Sequence, residues 1–203
     1  MASGVGRILN DELVRGGSVV ALRASLSLPL PSAASEQAAL EAVVDEFAPI
    51  FAGVPTVDGE RDGALLVVSD DAGAATAVNF WRDALAAGLG FASPAAFPWC
   101  LANAPCATIA RRFSVTGPNC TWLTPFVDSR GAFDAPAAWL ADQLCANSYE
   151  GTPREAWLVA LHFGAQSPRV MVWHWSGTGN SAESVALGVA IRNRVAEDWS
   201  TTQ

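Results

Sequence analysis

Three continuous apolar runs set the first limit on the fold of this chain: Ala64 to Ser69 (ALLVVS), Glu155 to Phe163 (EAWLVALHF) and Arg169 to Trp175 (RVMVWHW). Short runs with so little polar alternation mark strands buried on both faces, and such a sheet needs helices above and below it. The segments between them have helical spacing. Ser35 to about Phe51 carries Ala, Leu and Val at helical intervals, with Glu36 and Glu41 near its positive end. Ala74 to about Ala87 is amphipathic and is stopped by Gly88 and Gly90. Ala104 to Phe113 places Arg111 and Arg112 in its last turn, where they complement the negative end. From about Ala135 to Asn147 only Asp142 and Gln143 interrupt an apolar helix, with Asp134 as its N-cap, so this helix belongs inside the protein. Ser181 to Trp199 is a final helix, and Ser18 to Leu28 a first strand that follows a polar leader and ends at Pro29 and Pro31. Alternating strands and helices predict one α/β layered domain over residues 1–203.

Composition narrows the chemistry. Hydrophobic residues make up 51% of the chain against 16% charged, and the mean hydropathy is +0.25, which implies a well-filled core, an extensive interface, or both. No apolar run reaches the ~18 residues that cross a bilayer, and the first residues lack a signal-peptide core. A cytoplasmic location is the expectation. Net charge of −8 disfavours nucleic acid and anionic lipid as partners. All twelve basic residues are Arg, which excludes Lys Schiff-base chemistry and a Lys-bearing phosphate loop. Cys100, Cys106, Cys120 and Cys145 follow no metal spacing and read as small reduced thiols, so neither a metal nor a cofactor is expected. The two histidines, His162 and His174, alternate with large apolar residues and read as packed strand residues.

The most specific pattern lies between Phe97 and Phe126 (FPWCLANAPCATIARRFSVTGPNCTWLTPF). Asn103 and Pro105 open the amphipathic helix, Gly117-Pro118-Asn119 turns the chain, and Thr121 to Thr124 forms a strand. This succession resembles the approach to the active site in the N-terminal half of the β-ketoacyl synthase family. With SVVALRASLSL, GALLVVS, AAWLADQL and AWLVALHF around it, the likeness runs from Ser18 to Ala165. It implies a thiolase-like half, in which a mixed sheet is layered with helices and one buried central helix follows the motif strand.

In active members that strand delivers a nucleophilic Cys to the start of the central helix. Aligned without a gap, the Cys position here is Phe126, whose ring cannot carry an acyl group. The two catalytic His residues of the family's C-terminal half have no counterparts. Ser129 is the alternative nucleophile, with no base evident near it in sequence, and Cys120 lies too early, ahead of the strand. Pro125 and Pro136 depart from the pattern, the second moving the helix start to near Ala135. Gly177-Thr178-Gly179-Asn180 echoes a glycine-rich segment of these enzymes but reads as a turn ahead of the last helix.

The resemblance therefore implies a non-catalytic partner protein in fatty-acid or polyketide assembly, similar to chain-length factors. Its expected partner is an active ketosynthase, an acyl carrier protein or a second copy of itself. The alternative is a small acyltransferase or thioesterase built on the same fold. A lone half would expose apolar surface, which association or the chain's own C-terminal segment must cover.

Overall fold

The computed structural model describes residues 5–15, 18–31, 36–124, 131–146, 154–163, 168–178 and 181–201. Its strands are Val5–Arg15 (β1), Ser18–Pro29 (β2), Gly63–Ser69 (β3), Asn119–Leu123 (β4), Arg154–His162 (β5) and Arg169–Thr178 (β6). They form one mixed sheet in the order β1-β2-β6-β5-β3-β4. β3 is parallel to both β4 and β5, whereas β6 runs antiparallel to β5 and β2, and β1 antiparallel to β2. All of β3 is buried, as is β5 from Ala156 to Leu161, which is the physical content of their unbroken apolar runs.

The polar leader is a correction. Val5–Arg15 pairs along β2, from Val5 opposite Ser27 to Arg15 opposite Ser18, with an irregularity between Ile8 and Asp11. Its backbone finds hydrogen-bond partners on the edge that β2 would otherwise leave open, a tertiary pairing that composition does not report.

The helices are Glu36–Val43 (α1), Ala48–Ala52 (α2), Ala74–Ala87 (α3), Ala104–Phe113 (α4), Asp134–Cys145 (α5) and Ser184–Thr201 (α6). The single helix expected from Ser35 to Phe51 is broken by a 3-10 turn over Val44–Phe47. The cause is Pro49, which has no N–H to donate and stands in the first turn of a new helix.

Strand alternation sorts the core into two faces. Leu65, Val67, Trp157, Val159 and Val172 pack on one side against Leu40 of α1, Phe47 of the 3-10 turn, Phe51 of α2 and Ile109 and Phe113 of α4. Leu66, Val68, Leu158, Trp173 and Trp175 pack on the other against Leu140 and Leu144 of α5 and Ile191 and Val195 of α6. The crossovers through α4 and α5 lie on opposite faces and advance in opposite directions across the sheet, as one consistent handedness requires.

On the first face the rings of Phe113, Phe51, Trp157 and His174 stack in a column, with successive centroid separations of 4.1, 5.0 and 5.3 Å. Arg61 ties the two helices of this column together. Its Nε donates to the Phe51 carbonyl at 3.1 Å and its Nη1 to the Phe113 carbonyl at 2.6 Å. One cation thereby satisfies the C-terminal ends of both α2 and α4.

The helix read as buried all round is half-buried. Pro136, Ala137, Leu140, Ala141, Leu144 and Cys145 face the core, while Ala135, Ala138, Asp142 and Ala146 are exposed. Asp134 is its first helical residue and Phe133 holds the cap position, so the expected Asp134 cap is not made. Alanines are apolar by composition yet small enough to leave in water, which is why pattern alone overstated the burial. Leu187, Ile191, Val195 and Trp199 of α6 cover this face.

Candidate functional site

The helix-start residues fall where expected, and the turn residue Asn119 belongs to the strand instead. Asn103 holds the N-cap position of α4 and Pro105 its first turn, although the Asn103 side chain makes no capping bond. Gly117 is needed for close approach. A Cβ there would stand 2.2 Å from the carbonyl oxygen of Gly63, the first residue of β3. The Pro118 carbonyl then accepts from Leu65 N–H at 2.9 Å, and the Asn119 side-chain amide donates to the Gly117 carbonyl at 3.3 Å. These contacts start β4 at Asn119, two residues before the expected Thr121, which pairs with Val67 inside the strand. Cys120 consequently lies within β4. It packs toward α5, whereas Cys106 belongs to the opposite face, so no disulfide joins them. Burial pushes the Cys106 thiol up to about 12, which leaves it inert at neutral pH.

The degenerate nucleophile position Phe126 and the alternative nucleophile Ser129 lie outside the described residues, as does Pro125. Gly177 and Thr178 belong to β6 rather than to a turn, and Gly179 and Asn180 lie outside the described residues. A Cβ on Gly177 would meet the Val19 carbonyl at 2.2 Å, so this glycine serves the contact between β6 and β2.

A second set of polar residues gathers where β3 and β5 end. The parallel register aligns Ser69 with Leu161 on one side and Leu123 on the other, bringing the residues after each strand to one rim. The chain turns sharply after Ser69. Ala72 is held at φ 42 and Gly73 at φ 86, a conformation costly for the former. Ser69 Oγ supports the turn by accepting from Asp71 N–H at 3.2 Å and Ala72 N–H at 2.9 Å. Asp71 accepts from Ala75 N–H at 3.1 Å and so anchors the start of α3. Gly73 lies against the loop before α4, where a Cβ would come within 2.5 Å of the Trp99 carbonyl.

Three acids and a histidine meet there. His162 Nδ1 lies 2.6 Å from Asp70 Oδ2, and Asp70 Oδ1 accepts from Phe163 N–H at 3.0 Å. The imidazole is also edge-on to Trp199 at 6.1 Å. Glu36, at the start of α1, is only 4% exposed, and neither of its carboxylate oxygens has a hydrogen-bond partner. Burial, then the negative charges of Asp71 and Asp70, push the Glu36 carboxyl up to about 7. The Gly73 N–H draws it partly back down, without reaching either oxygen in hydrogen-bonding geometry. Burial also raises Asp71, with Asp70 adding to the effect.

The carboxyl ends of parallel strands are where α/β sheets commonly present their chemistry. An imidazole oriented by a carboxylate can move a proton, and a buried neutral acid can donate one. Among the described residues no group of three metal-ligating side chains comes together. Ser69 is fully buried with its oxygen already engaged, so it is not a nucleophile. The signal for this corner was present in sequence: a Ser-Asp-Asp step directly after an apolar strand, and a His at the end of another.

At the other end of β5, His174 Nε2 meets Glu155 Oε2 at 2.5 Å while Ser176 Oγ donates to Glu155 Oε1 at 2.8 Å. His174 is stacked on Trp157 and nearly sealed from solvent, as its reading as a packed strand residue requires. No family model and no curated protein matches this chain.

Proposed function

We propose that the chain is a ketosynthase-like accessory protein of the cytoplasm, without condensing activity, that works by associating with another component of acyl-thioester assembly. The order of elements supports this reading. A first strand, a second strand and helix, the Asn-x-Pro helix, the Gly-Pro-Asn turn with its strand, a helix and a further strand follow one another as the resemblance requires. The observation that carries the association is an apolar surface outside both core faces. Val78, Trp81 and Leu85 line the outer side of α3, and Trp122 and Leu123 stand exposed on β4, an edge strand of the sheet among the described residues. Exposed tryptophan on an unpaired strand edge is a common anchor for a partner protein. No helix among the described residues is long and apolar enough to cross a membrane.

Analytical ultracentrifugation at micromolar concentration tests the reading, with the chain alone, with acyl carrier protein and with an active ketosynthase from the same organism. A complex weakened by Trp81→Ala or Trp122→Ala is the expected result. A monomer in every mixture sinks the proposal.

The Asp70–His162 pair favours a second reading, a small acyltransferase or thioesterase. Incubation with acyl carrier thioesters followed by intact-mass and product analysis separates the two. An acyl adduct, or turnover lost in His162→Ala, identifies an enzyme.

A further inference from the structure

We infer that Glu36 is a proton-operated latch: as a neutral acid it holds the first turn of α1 in the corner between β3 and α3, and as an anion it releases that turn. The inference is independent of the ketosynthase reading and rests on three observations. The carboxyl group is withdrawn from solvent, with the residue 4% exposed. Neither oxygen is hydrogen-bonded, although a buried carboxylate requires donors or a cation. The charged groups that face it, Asp71 and Asp70, are both acidic.

An ionised Glu36 would place three carboxylates in one poorly hydrated corner. Charge neutralisation from outside is limited there. The imidazole of His162 is engaged with Asp70, and the helix-start N–H of Gly73 does not reach the Glu36 oxygens. The favourable field at the start of α1 offsets only part of this repulsion. Protonation is the cheaper solution in the docked state, and ionisation is cheaper once the turn moves into water.

The rest of α1 stays anchored by Leu40 and Val43, so the motion is confined to its first turn. The moving piece lies beside Asp70, the partner of His162. The carboxyl's rise from 4.5 to about 7 sets the window. The docked form is favoured by up to roughly 300-fold more at the acidic end than above neutrality.

Hydrogen exchange of the full chain from about pH 5 to about pH 9, corrected for intrinsic exchange, tests the latch. The amides of Leu40 to Val43 report on it, because they bond to carbonyls of the first turn. Their protection is expected to fall as pH rises from about 5, in one step that levels off near pH 7 in the wild type. Glu36→Gln, which keeps shape without charge, should remove the step and stay protected throughout. Asp71→Asn keeps an acceptor for Ala75 and should move the midpoint lower. Flat protection in the wild type overturns the latch, as does a step that survives in Glu36→Gln or a midpoint unmoved in Asp71→Asn.

Discussion

β5 carries a histidine–carboxylate pair at each of its ends, and the two pairs are built for different purposes. At the start of the strand Glu155 bridges His174 and Ser176, and the imidazole lies flat against Trp157. Both oxygens of the carboxylate are used and the imidazole is 7% exposed. At the end of the strand Asp70 binds His162 and one backbone amide, and the imidazole is 26% exposed beside a strained turn. The first pair is a closed structural joint between β5 and β6. The second sits on a rim with two further acids, one of them unpartnered. Chemical identity of a pair does not decide its role. Completeness of its hydrogen bonding and its place along the parallel strands do.

The comparison is broken most forcefully at its closed end. Glu155→Ala leaves His174 and Ser176 without their shared acceptor inside the sheet and is expected to cost about 4 kcal/mol in urea unfolding. A loss under about 1 kcal/mol would show that the joint is not structural. Next in size is Glu36→Gln. Because its carboxyl is raised in the folded chain, that chain binds more protons than the unfolded one between 4.5 and about 7. Stability therefore falls as pH rises across this window, and the whole penalty, about 3 kcal/mol, stands above it. Glu36→Gln should be more stable than wild type by up to that amount at about pH 8 and close to it at about pH 5, measured by urea midpoints.

Asp70→Asn probes the open pair and should cost only about 1–2 kcal/mol, since solvent can reach the imidazole that loses its partner. Equal costs for Asp70→Asn and Glu155→Ala would erase the distinction drawn between the two ends. Ser176→Ala removes one hydroxyl from the closed joint while leaving its His174 contact in place. A cost of about 1 kcal/mol is expected, and unfolding cycles with Glu155→Ala should show the two substitutions to be non-additive.

The layered α/β class was legible because β3, β5 and β6 are buried on both faces and their sequences contain almost nothing else. Helices α3 and α4 could be bounded from Gly88 and from the spacing of Pro105 and Arg112, which act through local backbone rules. β1 could not be read, because its pairing depends on an edge that exists only once β2 is in the sheet. The acid corner escaped for a similar reason. Glu36, Asp71 and His162 are distant in sequence, and Glu36 looked like an ordinary favourable charge at a helix start. Only the fold shows that α1 begins against another acidic turn. Asn103 and Gly117 lie on the helix start and the turn expected of them, whereas Asn119 already belongs to β4, and the glycine is required by Gly63 of β3, a neighbour that no local pattern could name.

The ring column also governs how the chain comes apart. α2 spans five residues, far below the length at which a helix holds itself together in water. Its shape is lent to it by Phe51, clamped between Phe113 and Trp157. A segment so short would ordinarily fray early, yet this one is riveted to a central strand. It should lose its order only when β5 itself lets go, and would serve as a sentinel for global rather than local unfolding.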